Sequence, residues 1–123
     1  VGITTAQIEA GLAPFRRIRE THGAAIDLML EMHALWDVTS AERIIRAIEP
    51  YDPLWIEDPI RMDDVEALAG LARGTRIPIL ACETLAPATA YRPLLSSGAA
   101  GIVSFDPGWC GGVTQARAIC DMA

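Results

Sequence analysis

The chain has 123 residues, 51% of them hydrophobic, which is the length of one domain with ample material for a core. Its formal net charge of −6 argues against nucleic acid and anionic membrane surfaces as partners, and no apolar window is long enough to span a bilayer. All ten basic residues are arginines, so this stretch supplies no lysine for a Schiff base, a phosphate-binding loop or a general base.

The three cysteines, Cys82, Cys110 and Cys120, are odd in number, lie in apolar surroundings and lack the spacing of a zinc site. They indicate reduced thiols in an intracellular protein, for which we expect a cytoplasmic location. The first residues show neither a secretory signal pattern nor an initiator Met. We therefore expect the chain to be a piece of a longer protein.

Hydrophobic periodicity and turn residues divide the chain into alternating helices and strands. The predicted elements, in chain order, are a helix over 4–22, a strand over 26–31, a helix capped by Thr39 or Ser40 that runs to about Tyr51, a strand over 54–57, a helix opened by Asp63 and Asp64 and ended by Gly74, a strand over 77–83, a helix over about 86–96, a strand over 101–105 and a last helix from about Val113. Such alternation is typical of a parallel sheet with right-handed crossovers, so we predict an α/β fold.

Two architectures share this alternation, a doubly wound open sheet and part of a (β/α)₈ TIM-type barrel. The phosphate-binding glycine fingerprint of the doubly wound sheet follows none of the strands. Acidic residues instead stand at the C-terminal ends of all four strands, where barrel enzymes carry their functional residues. We predict about four parallel βα units, with residues 1–123 forming half of the barrel domain of a larger enzyme.

The acidic residues at the strand ends are evenly spaced. Glu31, Glu57 and Glu83 are separated by equal intervals of 26 residues, and Asp106 follows Glu83 by 23. Such an interval fits one strand, one helix and two short loops, so we expect the three glutamates at one level of one sheet edge. Two carboxylates about 5 Å apart repel by about 3 kcal/mol at an effective dielectric constant of about 20. A divalent cation removes this cost, and oxygen ligands suit Mg²⁺, so the spacing suggests a magnesium site.

With these motifs in place, the sequence resembles the enolase superfamily, in particular the mandelate racemase-like sugar-acid dehydratases of the galactonate dehydratase type. The resemblance extends from Leu12 to Ala123. It is based on four segments taken together: Glu31-Met32-His33-Ala34-Leu35-Trp36, Trp55-Ile56-Glu57-Asp58-Pro59, Ala81-Cys82-Glu83-Thr84, and Asp106 with Gly111-Gly112-Val113-Thr114. Members of this family also have a capping domain and a second half of the barrel, which we expect to lie outside residues 1–123.

The resemblance assigns roles to five residues. It implies that Glu31, Glu57 and Glu83 are the Mg²⁺ ligands, although the family usually has Asp at the first position. It implies that His33 is the general acid that protonates the departing hydroxyl, with a structural histidine as the alternative. It also implies that Asp106 pairs with a catalytic histidine on the next strand of the barrel, with a loop-capping aspartate as the alternative.

The same resemblance implies a lyase that dehydrates a sugar acid such as an aldonate. The proton α to the carboxylate would be removed through a metal-stabilised enediolate, and the β-hydroxyl would be eliminated. We expect a small-molecule acid sugar as substrate and a homo-oligomeric full-length enzyme. A racemase or epimerase of the same superfamily and a non-catalytic remnant of the fold are the alternatives.

The sequence also disfavours one branch of the superfamily and assigns structural roles to the remaining polar and aromatic residues near the strand ends. The absence of lysine and the presence of Glu rather than Asp at position 83 disfavour the muconate-lactonizing branch of the superfamily. Asp58, Trp36 and Trp109 are predicted to serve packing and loop structure, and Arg61 is predicted to form a surface ion pair.

Overall fold

The computed structural model describes residues 2–123, which contain five α-helices and four short strands. In chain order the elements are α1 (Thr5–His22), β1 (Met29–Glu31), α2 (Val38–Ile48), a 3₁₀ turn (Glu49–Tyr51), β2 (Trp55–Glu57), α3 (Val65–Arg73), β3 (Ile79–Ala81), α4 (Ala88–Ser96), β4 (Ile102–Val103) and α5 (Val113–Met122). Every predicted helix and strand is present. The strands are shorter than predicted, because the ladder hydrogen bonds pair only two or three residues of each.

The four strands form one parallel sheet in the order β1-β2-β3-β4. Each strand lies next to the strand that precedes it in the chain, with one helix in every crossover. A doubly wound sheet reverses its strand order at a switch point, whereas a barrel adds strands in one direction. The α/β prediction is therefore confirmed, and the observed order is that of consecutive units of a barrel.

Helix boundaries follow local capping chemistry. Thr4 and Gln7 form a capping box at the start of α1. The prediction that Thr39 or Ser40 caps α2 was wrong, because the N-cap is Asp37. Its carboxylate accepts from the backbone N–H of Ser40 at 2.9 Å and from the hydroxyl of Ser40 at 2.8 Å, which satisfies one of the free donors of the first turn.

The sheet buries one face against the helices. Ile56 and Ile79 on the central strands and Ala81 at the end of β3 are at most 2% exposed. They pack in one core with buried residues of the helices, which include Ile8, Leu12, Ile45, Ile48, Leu68, Leu71, Tyr91, Leu94 and Ile119. The other face is more open, since Met29 is 46% exposed and Glu31 is also exposed. The charged ends of the first two strands therefore lie on the more open face of the sheet.

All three cysteines are free thiols in the structure, with Cys82 and Cys110 buried and Cys120 exposed. None of the described helices is both long and apolar enough to cross a bilayer.

Candidate metal centre

Glu31 and Glu57 are adjacent at the carboxyl edge of the sheet. They are direct partners in the parallel register of β1 and β2, so their side chains leave the sheet on the same face. The amide of Met32 donates to the carbonyl of Glu57 at 2.9 Å and carries the pairing one residue past the strand. The equal spacing in the sequence therefore correctly placed this pair at one level.

Glu83 and Asp106 lie beyond that level of the ladder, so the prediction that all three glutamates share one level was wrong for Glu83. The register partner of Glu57 is Leu80, three residues before Glu83, and the partner of Leu80 is Ile102, four residues before Asp106. Register is set by the ladder hydrogen bonds, and the third and fourth strands begin earlier relative to their acidic residues than the first two. Glu83 and Asp106 consequently stand on loops beyond the strands.

The acidic residues nevertheless influence one another. Burial raises the pKa of Glu57, and the negative charges of Glu31 and Glu83 raise it further. Burial also raises the pKa of Asp58 to about 7, with contributions from the same three glutamates. Asp58 is only 2% exposed and its Oδ1 has no hydrogen-bond partner within residues 2–123. The carboxyl edge of the sheet thus carries a negative potential that a cation would relieve.

The chemistry of these donors fits Mg²⁺, which prefers carboxylate oxygens. Within the described part of the chain, no group of three or more His, Cys, Asp or Glu side chains is close enough together to hold a metal ion. Glu31 and Glu57 form a pair, while Glu83 contributes through its charge from a neighbouring loop. The residues present therefore supply a suitable donor set, of which two members are side by side.

His33 lies in a sharp turn directly after Glu31. His33 and Ala34 both have left-handed backbone conformations, with φ of 54° and 55°. The backbone N–H of His33 donates to Oε1 of Glu31, and the imidazole Nδ1 is 3.9 Å from the same oxygen. The amide of Ala34 donates to the carbonyl of Asp58 at 2.7 Å, which ties this turn to the end of β2. The turn holds the exposed imidazole beside the carboxylate pair.

Asp106 is engaged in its own loop. Its Oδ1 accepts from the backbone N–H of Gly108 at 2.7 Å and from that of Trp109 at 3.2 Å. These contacts are those of a loop-capping aspartate, the alternative role considered above. Its predicted partnership with a histidine on a further strand stays a prediction.

The loops beyond the first three strands enclose an open depression of about 520 Å³. His33, Arg61 and Thr84 are among its lining residues, one from the loop after each strand. Arg61 pairs with Asp63 at 2.9 Å, which confirms the surface ion pair. The depression has the size of a small-molecule site and lies at the edge that carries the acidic residues.

Sequence reasoning overlooked Tyr91. Its hydroxyl is buried beneath the loop that carries Glu83 and hydrogen-bonds to that loop's backbone. One signal was available in the sequence: Tyr91 places a hydroxyl on the apolar face of α4, and a buried hydroxyl requires a partner.

Comparison with known proteins is consistent with this geometry. The sequence model of the family described as Enolase C-terminal domain-like matches residues 1–123. The D-galactonate dehydratase of Ralstonia nicotianae is 33% identical over 116 residues, which are 94% of this chain and 30% of that protein. The D-galactonate dehydratase of Pectobacterium atrosepticum is 32% identical over 117 residues, 95% of this chain and 31% of that protein. The chain thus spans about a third of the length of the relatives it matches.

Solved structures of similar proteins share the fold. An enolase of the mandelate racemase subgroup from Agrobacterium tumefaciens is 42% identical with a TM-score of 0.94, over 98% of this chain and 33% of that one. An L-talarate dehydratase from Polaromonas sp. JS666, complexed with Mg and L-glucarate, is 31% identical with a TM-score of 0.90, over 100% of this chain and 34% of that one.

Proposed function

This chain belongs to the Enolase C-terminal domain-like family, and on that premise we propose that it is the metal-binding half of the barrel in a Mg²⁺-dependent sugar-acid dehydratase. One observation carries the proposal: Glu31 and Glu57 are register partners at the carboxyl edge of the sheet. The similarity to two D-galactonate dehydratases and to a talarate dehydratase complexed with Mg supports both the metal and the class of reaction.

The side chains of Glu31, Glu57 and Glu83 would hold the cation. When bound, Mg²⁺ supplies positive charge that offsets the charge developing on the substrate carboxylate as its α-proton leaves. The three glutamates orient the site and give it a net negative charge that attracts a divalent ion. Burial, and after it the charges of Glu31 and Glu83, raises the pKa of Glu57, so a bound cation would favour its ionised form.

The role proposed for His33 is that of the general acid. Its imidazole is exposed, lies beside Glu31 and lines the depression at the carboxyl edge. From there the protonated ring would donate to the departing β-hydroxyl of an acid sugar, which then leaves as water. Asp106 would orient the histidine that removes the α-proton, as its position after β4 suggests.

Replacing Glu57 in the full-length enzyme tests the metal site. We expect Glu57→Gln to weaken Mg²⁺ binding by about 100-fold or more and to abolish turnover, because the amide keeps the shape of the side chain but removes its charge. Isothermal titration with Mg²⁺ and a product assay on aldonates provide the measurements. Glu49→Gln, in the 3₁₀ turn that precedes β2, is the matched control and should change neither. Full activity of Glu57→Gln would refute the proposal, and a wild type that binds no Mg²⁺ would indicate a non-catalytic remnant.

A racemase or epimerase is the second candidate, favoured by the 42% identity to an enzyme of the mandelate racemase subgroup. Such an enzyme moves the α-proton without expelling a hydroxyl. We expect His33→Asn to slow dehydration by about 100-fold or more and to slow exchange of the α-proton with solvent deuterium much less. Equal losses would remove His33 from the role of acid, and an epimeric product without dehydration would favour the racemase.

A further inference from the structure

We propose that Tyr91 is a positioning residue for Glu83, acting through hydrogen bonds to the backbone of the loop over residues 82–85. The inference depends on the proposed function, because Glu83 matters there as a metal ligand. Tyr91 itself touches neither metal nor substrate in this assignment. Its effect passes through the main chain on either side of Glu83.

The Tyr91 hydroxyl is placed where only the loop can satisfy it. The side chain lies on α4 and is fully buried. Its oxygen is 2.8 Å from the carbonyl of Cys82 and 3.2 Å from the carbonyl of Leu85, so the hydroxyl donates to the first and has the second within reach. Burial raises the pKa of Tyr91, so the phenol keeps its proton and stays a donor at any ordinary pH.

The two acceptors bracket the candidate ligand. Cys82 immediately precedes Glu83, and Leu85 follows it by two residues, so one hydroxyl lies across the turn from which the Glu83 side chain projects. β3 ends at Ala81, so no ladder partner fixes the backbone of Glu83 itself. Hydrogen bonds from side chains hold the backbone around Glu83 in place of ladder hydrogen bonds.

A second aromatic side chain donates a hydrogen bond to the same loop from the solvent side. The indole Nε1 of Trp109 donates to the carbonyl of Thr84 at 2.9 Å, but Trp109 is 64% exposed. Water can replace an exposed donor when it is lost, whereas a buried carbonyl that loses its donor stays unsatisfied. Tyr91 is therefore the contact whose removal the loop cannot repair with solvent.

A simpler role is also open to Tyr91, that of a core aromatic ring whose hydroxyl merely finds an acceptor. The two roles predict different results. A purely structural residue affects unfolding without affecting the metal, whereas a positioning residue changes the affinity for Mg²⁺ in protein that remains folded. Outer groups that orient metal ligands typically affect metal affinity or activity by about 10–100-fold.

Tyr91→Phe in the full-length enzyme separates these roles, because it keeps the ring that fills the core and removes only the hydroxyl. We expect Mg²⁺ to bind the metal-free variant about 10-fold more weakly in isothermal titration, without substrate. The Mg²⁺ concentration for half-maximal turnover should rise equally, while kcat at saturating Mg²⁺ stays near that of the wild type. A variant with 4-aminophenylalanine at position 91 restores a donor and should recover the affinity.

Two controls match the change. Tyr51→Phe removes the same atom from the other tyrosine, whose oxygen accepts from Arg16 before the amino end of β2. Ile48→Val trims a fully buried residue of the core and lowers the melting temperature without touching the loop. Both should bind Mg²⁺ like the wild type.

The outcomes are distinct. Weaker Mg²⁺ binding in Tyr91→Phe alone, recovered by the amino analogue, supports the positioning role. Wild-type affinity in a Tyr91→Phe protein that melts at a lower temperature overturns it and leaves Tyr91 a core residue. A wild type that binds no Mg²⁺ refutes the proposed function first, a result visible before any variant is made. A Tyr91→Phe protein that fails to fold, together with an amino analogue that folds but binds Mg²⁺ weakly, also overturns the inference.

Discussion

The two halves of the sheet present their acidic residues in different ways. At the β1–β2 pair, Glu31 and Glu57 are held by the strands themselves, in register and on one face. At the β3–β4 pair the strands end early, and Glu83 stands on a loop held by the side chains of Tyr91 and Trp109. A ladder positions a side chain through backbone hydrogen bonds that any sequence can form, whereas a loop needs particular donors. We therefore expect that replacing a single side chain can shift an acidic residue in the second half of the sheet more readily than in the first half.

The helices that follow these strands also differ between the two halves, in how their first turns are capped. The N-caps of α2 and α3 are Asp37 and Asp64, whose carboxylates accept from backbone N–H groups of the first turn. The N-caps of α4 and α5 are Pro87 and Gly112, which provide no side-chain cap. The first half thus fixes its strand-to-helix turns by helix capping, whereas the second half uses hydrogen bonds to loop backbone from Tyr91 after β3 and from Asp106 after β4.

The largest expected effect comes from the core beneath the strands. Ile56→Ala on β2 should lower the free energy of unfolding by about 2–5 kcal/mol, because Ile56 is fully buried between sheet and helices. Ile102→Ala on β4 should cost clearly less, since Ile102 is only half-buried. Urea unfolding of the full-length enzyme measures both. Equal losses would show that the two halves of the sheet are equally well packed.

A second, smaller effect is the dependence of stability on pH at the β1–β2 pair. The folded pKa of Asp58 is raised to about 7, so the folded state holds this proton more tightly than the unfolded chain. The contribution of Asp58 to stability should be full below about pH 4 and be lost as the pH rises through about 7, by up to about 1.4 kcal/mol per pH unit. Urea unfolding of the metal-free protein should show this slope, and Asp58→Asn should reduce it to the part contributed by Glu57, whose pKa is also raised. An unchanged slope in the variant would mean that another group titrates.

The smallest expected effect is at the cap of α2. Hydrogen bonds from the backbone and then from the hydroxyl of Ser40 hold the pKa of Asp37 below its usual value. The stabilisation is therefore present above the unfolded pKa and is lost as the pH falls through the lower folded pKa. Asp37→Asn should keep the cap while losing this acid-side dependence, whereas Asp37→Ala should lose both. Thermal melts at several acidic pH values test this. Asp63→Asn is the comparison, because it removes an exposed carboxylate and breaks a surface ion pair without removing a helix cap.

Much of the fold could be predicted from local patterns. The alternation of apolar runs with amphipathic helices identified nine elements in the right order, and the acidic strand ends distinguished a barrel from a doubly wound sheet. Element ends were less predictable, as the cap of α2 shows: Asp37, Thr39 and Ser40 can all cap a helix, and only backbone geometry selects among them.

The candidate site could be predicted in part. Equal spacing located the Glu31–Glu57 pair correctly, because their strands also have equal offsets. The same spacing misplaced Glu83, since sequence intervals count residues in helices and loops as well as in strands. The burial of Asp58 could not be predicted, because it depends on how separate segments pack together. The buried hydroxyl of Tyr91 implied some acceptor, but the sequence did not identify the carbonyl of Cys82 as that acceptor.

By itself, the sequence determined the kinds of elements, their order and the acidic residues that end the strands, because these follow from short-range periodicity and from the chemistry of single residues. Only the tertiary structure decided which carboxylates meet, which carboxylate is buried without a hydrogen-bond partner among residues 2–123, and which hydroxyl holds the loop after β3. Register and burial arise from packing between segments, and a linear pattern does not specify how those segments are offset against one another.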